Sequence, residues 1–229
     1  MIMRPAEPGS YSPIVSSDQA LEAFRRGDDG EAERLAAAEL KRALGESDTA
    51  ARIDALCMLA RIALRRNDLD TVLARAREAR AAATAAGDRT MERMPLHLEA
   101  VANRMGGQLA EARTLYLQSI SLNDELGEAR MAALEHRNLA YVELRAGDSG
   151  RARALIAESQ RRLADVDAPV LKPYLTFDEA TVAALEGDAV GAARKLATAD
   201  EQFLAAGVIP DPDDAVEMAR LRASLRASR

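Results

Sequence analysis

Few residues in this chain could carry covalent chemistry. It holds one cysteine, Cys57, and two histidines, His97 and His136. Cys57 and His97 stand 40 residues apart, one period of the repeat described below, so a nucleophile and a base are arithmetically available. Nothing in the sequence supplies an oxyanion site or an orienting carboxylate for that pair. A Gly-rich phosphate loop of the G-x-x-x-x-G-K-[ST] kind, a Cys and His metal set and a G-x-S-x-G elbow are all missing. The chain reads as a non-enzyme that calls for no cofactor and no metal. Its recognition chemistry is richer: arginine presents a planar fork suited to carboxylates. The basic residues are 28 Arg and 3 Lys, a bias that genome composition explains as readily as function.

The net charge of -6 and the pI near 5.2 speak against a general nucleic-acid or anionic-membrane binder. A lone cysteine makes no intramolecular disulfide, and no apolar stretch approaches the ~18 residues of a membrane span. The expectation is a cytoplasmic protein. Residues 1–15, with three prolines, read as a flexible leader.

The elements that would position any site repeat with a period of 40 residues. Alanine recurs at Ala20, Ala60, Ala100, Ala140 and Ala180, and a turn residue at Gly27, Asn67, Gly107, Gly147 and Gly187. Five residues past each turn stand Ala32, Val72, Ala112, Ala152 and Ala192. A second set of turns is marked by Ser47-Asp48, Gly87-Asp88, Gly127-Glu128, Asp167-Ala168 and Gly207. Residues tolerant of the left-handed conformation end helices there, and an Asx commonly starts the next. The predicted first helices run over 16–26, 48–66, 88–106, 128–146 and 168–186. The predicted second helices run over 30–44, 69–86, 109–126, 149–164 and 189–206. Pro95 and Pro173 fall inside two first helices and call for a kink or a later start. Ser16 with Gln19 reads as a capping box. After Asp211-Pro212 an amphipathic helix over 213–226 is predicted, with Met218, Leu221 and Leu225 on one face. It would cap the last repeat. The fold class is all-α, an α-solenoid of about five helix pairs over 16–206 with a C-terminal capping helix within 207–229.

The small residue, the Gly or Asn turn and the second small residue, as at Ala140, Gly147 and Ala152, resemble the tetratricopeptide repeat over about 16–206. The unit is 40 residues rather than the family's usual 34, and most of its aromatic places hold Leu, Ala or polar residues. The longer unit is similar to repeats in sensor segments of bacterial transcription regulators. The resemblance implies that first helices line a concave groove. Carried over residue by residue, the groove runs from Ile14, Ser17 and Arg25 in the first unit to Tyr174, Phe177 and Asp178 in the last. Among its 30 places are six Arg and three Asp, a mildly basic surface on an acidic protein.

The groove residues singled out for partner binding are Asp54, Arg61, Arg65, His97, Arg104, Arg137, Asn138, Tyr141, Arg145, Tyr174 and Phe177. Arg61, Arg65, Arg104, Arg137 and Arg145 would anchor an acidic or C-terminal peptide segment; the plainer alternative is that they are solvated or paired with Glu neighbours. Tyr141 and Tyr174 are interface anchors by type, while Phe177 fits packing between repeats equally well. Asn138 beside Arg137 is similar to part of the family's carboxylate clamp, whose full Lys and Asn set is absent. The expected function is a protein-protein adaptor or scaffold holding a peptide segment. The alternative is a peptide- or ligand-sensing regulator related to the repeat segments of transcription regulators. Homo-oligomers stay open.

Overall fold

The computed structural model describes residues 15–164 and 169–227. Among the described residues there are eleven α-helices and no strand. They are α1 (Val15–Arg25), α2 (Asp29–Glu46), α3 (Thr49–Arg65), α4 (Leu69–Ala86), α5 (Arg93–Met105), α6 (Leu109–Glu125), α7 (Ala129–Ala146), α8 (Ser149–Leu163), α9 (Lys172–Leu185), α10 (Ala189–Ala206) and α11 (Pro212–Ala227). The first ten form five consecutive hairpins of the α-solenoid read from the period. The leader (but for Val15), the side chains of the Ser16 box and of the groove positions Ile14 and Ser17, and the turn at Asp167-Ala168 lie outside the described residues.

The turns work as their residue types dictate. Gly27, Asn67, Gly107, Gly147 and Gly187 all have positive φ, between 58° and 84°. The aspartate next in line then accepts a hydrogen bond from a backbone N–H in the first turn of the following helix: Asp28 from Glu31, Asp68 from Thr71, Asp148 from Arg151 and Asp188 from Gly191. The ten small residues flanking these turns are all buried, at 2% exposure or less. With no long side chain between them, the two helices of each hairpin pack closely.

The prolines move two helix starts. α5 begins at Arg93 after a 3₁₀ turn over Arg89–Glu92, and α9 begins at Lys172 after a 3₁₀ turn over Pro169–Leu171. Both prolines thus fall in a first helical turn, where the missing N–H would have had no partner within the helix. The later start accommodates them.

First helices of successive units touch one another, α1 with α3, α3 with α5 and α5 with α7, which puts them on the inside of the array. α11 does not merely stack on the last hairpin. It touches α9 and α10 and reaches α3, four helix pairs back in the chain from its own start. Its Met218 is buried with Tyr141, Phe177, Leu196 and Phe203, and Leu221 and Leu225 pack against that cluster. The segment before it reaches farther still: the Ile209 N–H donates to the Arg25 carbonyl at 3.4 Å.

One turn is strained by its residue type. Ser47 caps α2 at φ 57°, ψ 31°, a left-handed conformation that costs a non-glycine residue on the order of 1–2 kcal/mol. Ser47→Gly should raise stability by roughly 0.5–1 kcal/mol, after subtracting the extra freedom glycine gives the unfolded chain. Urea unfolding measures it, and an unchanged midpoint would show that the serine conformation costs nothing.

Candidate functional site

The inner helices bring the predicted arginines to one surface, and the start of α11 lies on it. Arg61 from α3 is 2.8 Å from Asp211. Arg104 from α5 grips Asp213 at 2.5 Å and Glu217 at 2.8 Å. Arg137 from α7 holds Asp214 at 2.6 Å and, through Nε, Asp178 of α9 at 2.8 Å. Arg145, two turns farther along α7, donates to Glu217 at 2.9 Å and to the Arg104 carbonyl at 2.8 Å. Four arginines on three helices therefore clasp four carboxylates within seven residues of chain.

Burial makes this arrangement unusual. Arg104 is fully buried, and Arg137 is nearly so. Of the five buried residues of α11, Asp213, Asp214 and Glu217 are acidic; Pro212 and Met218 are the others. A carboxylate or guanidinium leaves water only when partnered, so each side of this contact requires the other.

Aromatic rings frame the ion pairs. Tyr141 stacks on Phe177 at 5.8 Å between ring centres, and the guanidiniums of Arg104 and Arg137 lie 5.5 and 5.2 Å from the Tyr141 ring centre. The Tyr141 hydroxyl donates to Asp178 at 2.9 Å. Tyr174 meets Phe203 edge-on, and its hydroxyl accepts the Asp211 backbone N–H at 3.4 Å. Asp211 thus joins α3 to α9 across the groove.

The remaining predicted residues are placed differently. Arg65 turns towards the first hairpin: it lies 3.7 Å from the Phe24 ring centre, donates to the Phe24 carbonyl and pairs with Asp29. Asp54 is exposed. His97 and Asn138 belong to a polar cluster beside the arginines, where His97 Nδ1 is 3.0 Å from Glu135, and Glu135 also accepts from Ser119 at 3.0 Å and from Asn138 at 3.4 Å. Cys57 is buried in the core, where burial first, and then the charge of Asp54, push its thiol up, with Arg61 opposing.

Burial and neighbouring charges together set the shifted groups. Burial is the largest single influence on His97 and lowers it, but the charge and hydrogen bond of Glu135 together with the charges of Asp213 and Asp211 outweigh it and carry the imidazole up to about 9. Asp214 is pushed above the ordinary carboxylate range by burial, with Arg137 opposing and the charges of Asp213 and Asp211 adding to the rise. Asp178 is raised by burial despite Arg137 and Tyr141.

Sequence reasoning missed Asp211, Asp213, Asp214, Glu217 and Glu135. The signal present was a surplus of arginine on the groove positions together with an acidic run at 211–217; nothing local connected the arginines to carboxylates 72 to 150 positions away.

These features define an α-helical repeat protein with a basic inner groove occupied by its own C-terminal helix. No protein-family model matches the chain, and no curated protein matches it. Among solved structures, one described as the crystal structure of Rap protein complexed with Competence and Sporulation Factor is similar over 90% of this chain, with a TM-score of 0.71 at 12% identity. The likeness covers 56% of that chain and concerns the fold.

Two outcomes follow. Arg104→Ala strands Asp213 and leaves Glu217 to Arg145 alone, so it should destabilise the protein by roughly 3–5 kcal/mol in urea unfolding. Arg34→Ala, which breaks an equally short but exposed pair with Glu31, should have no measurable effect. Equal effects would mean that the buried pairs are not what holds the groove. His97, raised from its ordinary 6.5 to about 9, contributes stability that is present below pH 6.5 and is lost as pH rises through about 9. The melting temperature should fall across that window, and His97→Gln should flatten the slope there.

Proposed function

We propose that this chain is a non-enzymatic protein-interaction module of tetratricopeptide type, an adaptor whose concave groove takes an acidic peptide segment of a partner. The observation that carries the reading is the ladder of Arg61, Arg104, Arg137 and Arg145, spread over α3, α5 and α7 and already closed on carboxylates of a helical segment. The surface is built for that chemistry: bidentate-capable donors at fixed spacing, aromatic rings between them and an apolar shelf of Phe177, Leu196 and Phe203 beside them. The similar Rap structure is described as a complex with a factor, which is in keeping with a ligand-holding solenoid. Residues 16–206 would form the binding solenoid and 207–229 a separate terminal element. Neither nucleic acid nor membrane is a partner in this reading. Its site of action is the cytoplasm. Among the described residues no helix is long and apolar enough to cross a membrane.

A sensing role is the second reading, and one feature favours it. Asp211 ties α3 to α9, and Ile209 ties the same segment to α1, so whatever removes that segment also unlinks the two ends of the array.

Capture from the native cell extract on immobilised protein tests the adaptor reading. Wild-type protein should retain a partner that an Arg61→Glu, Arg145→Glu variant loses, with circular dichroism showing that the variant stays helical although Arg145 faces the buried Glu217. The same partners on both would place binding outside the groove.

A further inference from the structure

We propose that α11 is a stand-in for the partner: the external ligand is an acidic amphipathic helix with the pattern of α11, and it binds by displacing α11 from the groove. This rests on the groove reading above and adds both the partner's chemistry and the way its access is controlled.

The pattern can be read from the contacts. Counting Asp211 as the start, carboxylates stand at 211, 213, 214 and 217, and apolar residues at Met218, Leu221 and Leu225. The carboxylates meet Arg61, Arg104, Arg137 and Arg145 in order along the inner helices. The apolar residues follow onto Tyr141, Phe177, Leu196 and Phe203. A helix carrying acid groups in its first two turns and an i, i+3, i+7 apolar stripe afterwards would satisfy every one of these partners. Aspartates in the first turn also suit the positive end of a helix dipole, so the ligand is helical with its N-terminus at the arginines.

Three properties make α11 exchangeable. Its contacts with the arginines of the inner helices are ion pairs, and a buried ion pair returns little net stability because desolvation consumes most of the attraction. The register is therefore strongly specified while the grip is weak. Its C-terminal half is largely exposed: Ala223, Ser224, Arg226 and Ala227 face water. It is joined to α10 by a short link at 207–211 that opens with Gly207 at φ 64°, so it leaves and returns without unfolding α10. The tether gives α11 a local concentration of about millimolar, enough to keep weak external segments out and admit a matched one.

Displacement has a structural consequence. The 209–211 segment is what bridges Arg25 on α1, Arg61 on α3 and Tyr174 on α9. Its departure removes those ties, and the curvature of the array is then set by contacts between neighbouring hairpins alone. Ligand exchange and a change of shape become one event.

The test uses a labelled synthetic peptide of residues 208–227 as the probe and the full chain as receptor, read by fluorescence anisotropy. A variant with Asp213→Asn and Glu217→Gln frees Arg104 from its own helix and should bind the peptide at least tenfold more tightly than wild-type protein. A peptide with Asn or Gln in place of its four carboxylates should not bind. Because the variant could be perturbed, hydrogen exchange on isotope-labelled wild-type protein gives a second measure: α11 amides should lose protection when unlabelled peptide is in excess. Equal affinity of wild type and variant, with α11 protection unchanged and binding abolished by Arg61→Glu with Arg145→Glu, would overturn the stand-in role and leave the groove reading intact. No binding to either protein, both remaining helical, would overturn the groove reading too. A dimer in sedimentation that exchanges α11 between copies would overturn the assignment by making a second copy the occupant.

Discussion

A guanidinium taken out of water must find carboxylates, and Arg104 finds both of its own on α11, more than a hundred residues away. Much else in the arrangement follows. For Asp213 and Glu217 to reach Arg104, α11 must cross the inner helices instead of extending the array. To do so the chain must turn back at Gly207 and pass close to Arg25. Once there, Asp211 falls against Arg61, Asp214 against Arg137, and Met218 into the cluster around Tyr141. Met218 contributes about 1.5–3 kcal/mol by burial. The charges contribute little net energy but exclude neighbouring registers, since a shift of one residue along α11 would leave buried charges unpaired.

The solenoid itself was legible because its determinants are local and repeated. A residue that tolerates positive φ, an aspartate after it and an alanine five residues on specify a hairpin without reference to anything distant, and the same specification occurs in phase along the chain. The prolines at 95 and 173 were legible as disturbances, and the helices resolved them by starting later. α11 was half legible. Its apolar stripe announced a helix that covers something, and Met218, Leu221 and Leu225 do cover the last hairpin. Its acidic edge carried no such announcement, because an exposed acidic first turn is ordinary for any helix.

The same limit explains the histidine. His97 reads alone as a groove or packing residue, and Glu135 carries no signal of its own in the sequence. Their pairing depends on two first helices lying side by side, a tertiary fact that no spacing within one unit encodes. Arg65 shows the converse: by type and position it matches Arg145, yet Phe24 and Asp29 stand within its reach and draw it into the first hairpin. Position in a repeat fixes where a side chain starts; the neighbouring unit decides where it ends.

A groove lined with arginine on an acidic protein poses a problem whether or not a partner is present. Left open, it would attract any acidic segment, since the recognition is by charge and charge is not selective. Covering it with apolar residues would remove the charge chemistry altogether. A tethered helix that meets each arginine with a carboxylate resolves the conflict: the arginines keep their donors, the aromatic shelf stays covered, and under the proposed exchange an incoming segment must match both the acidic spacing and the apolar stripe to compete. In the proposed exchange selectivity resides in the competition, and the C-terminal helix sets the threshold for it.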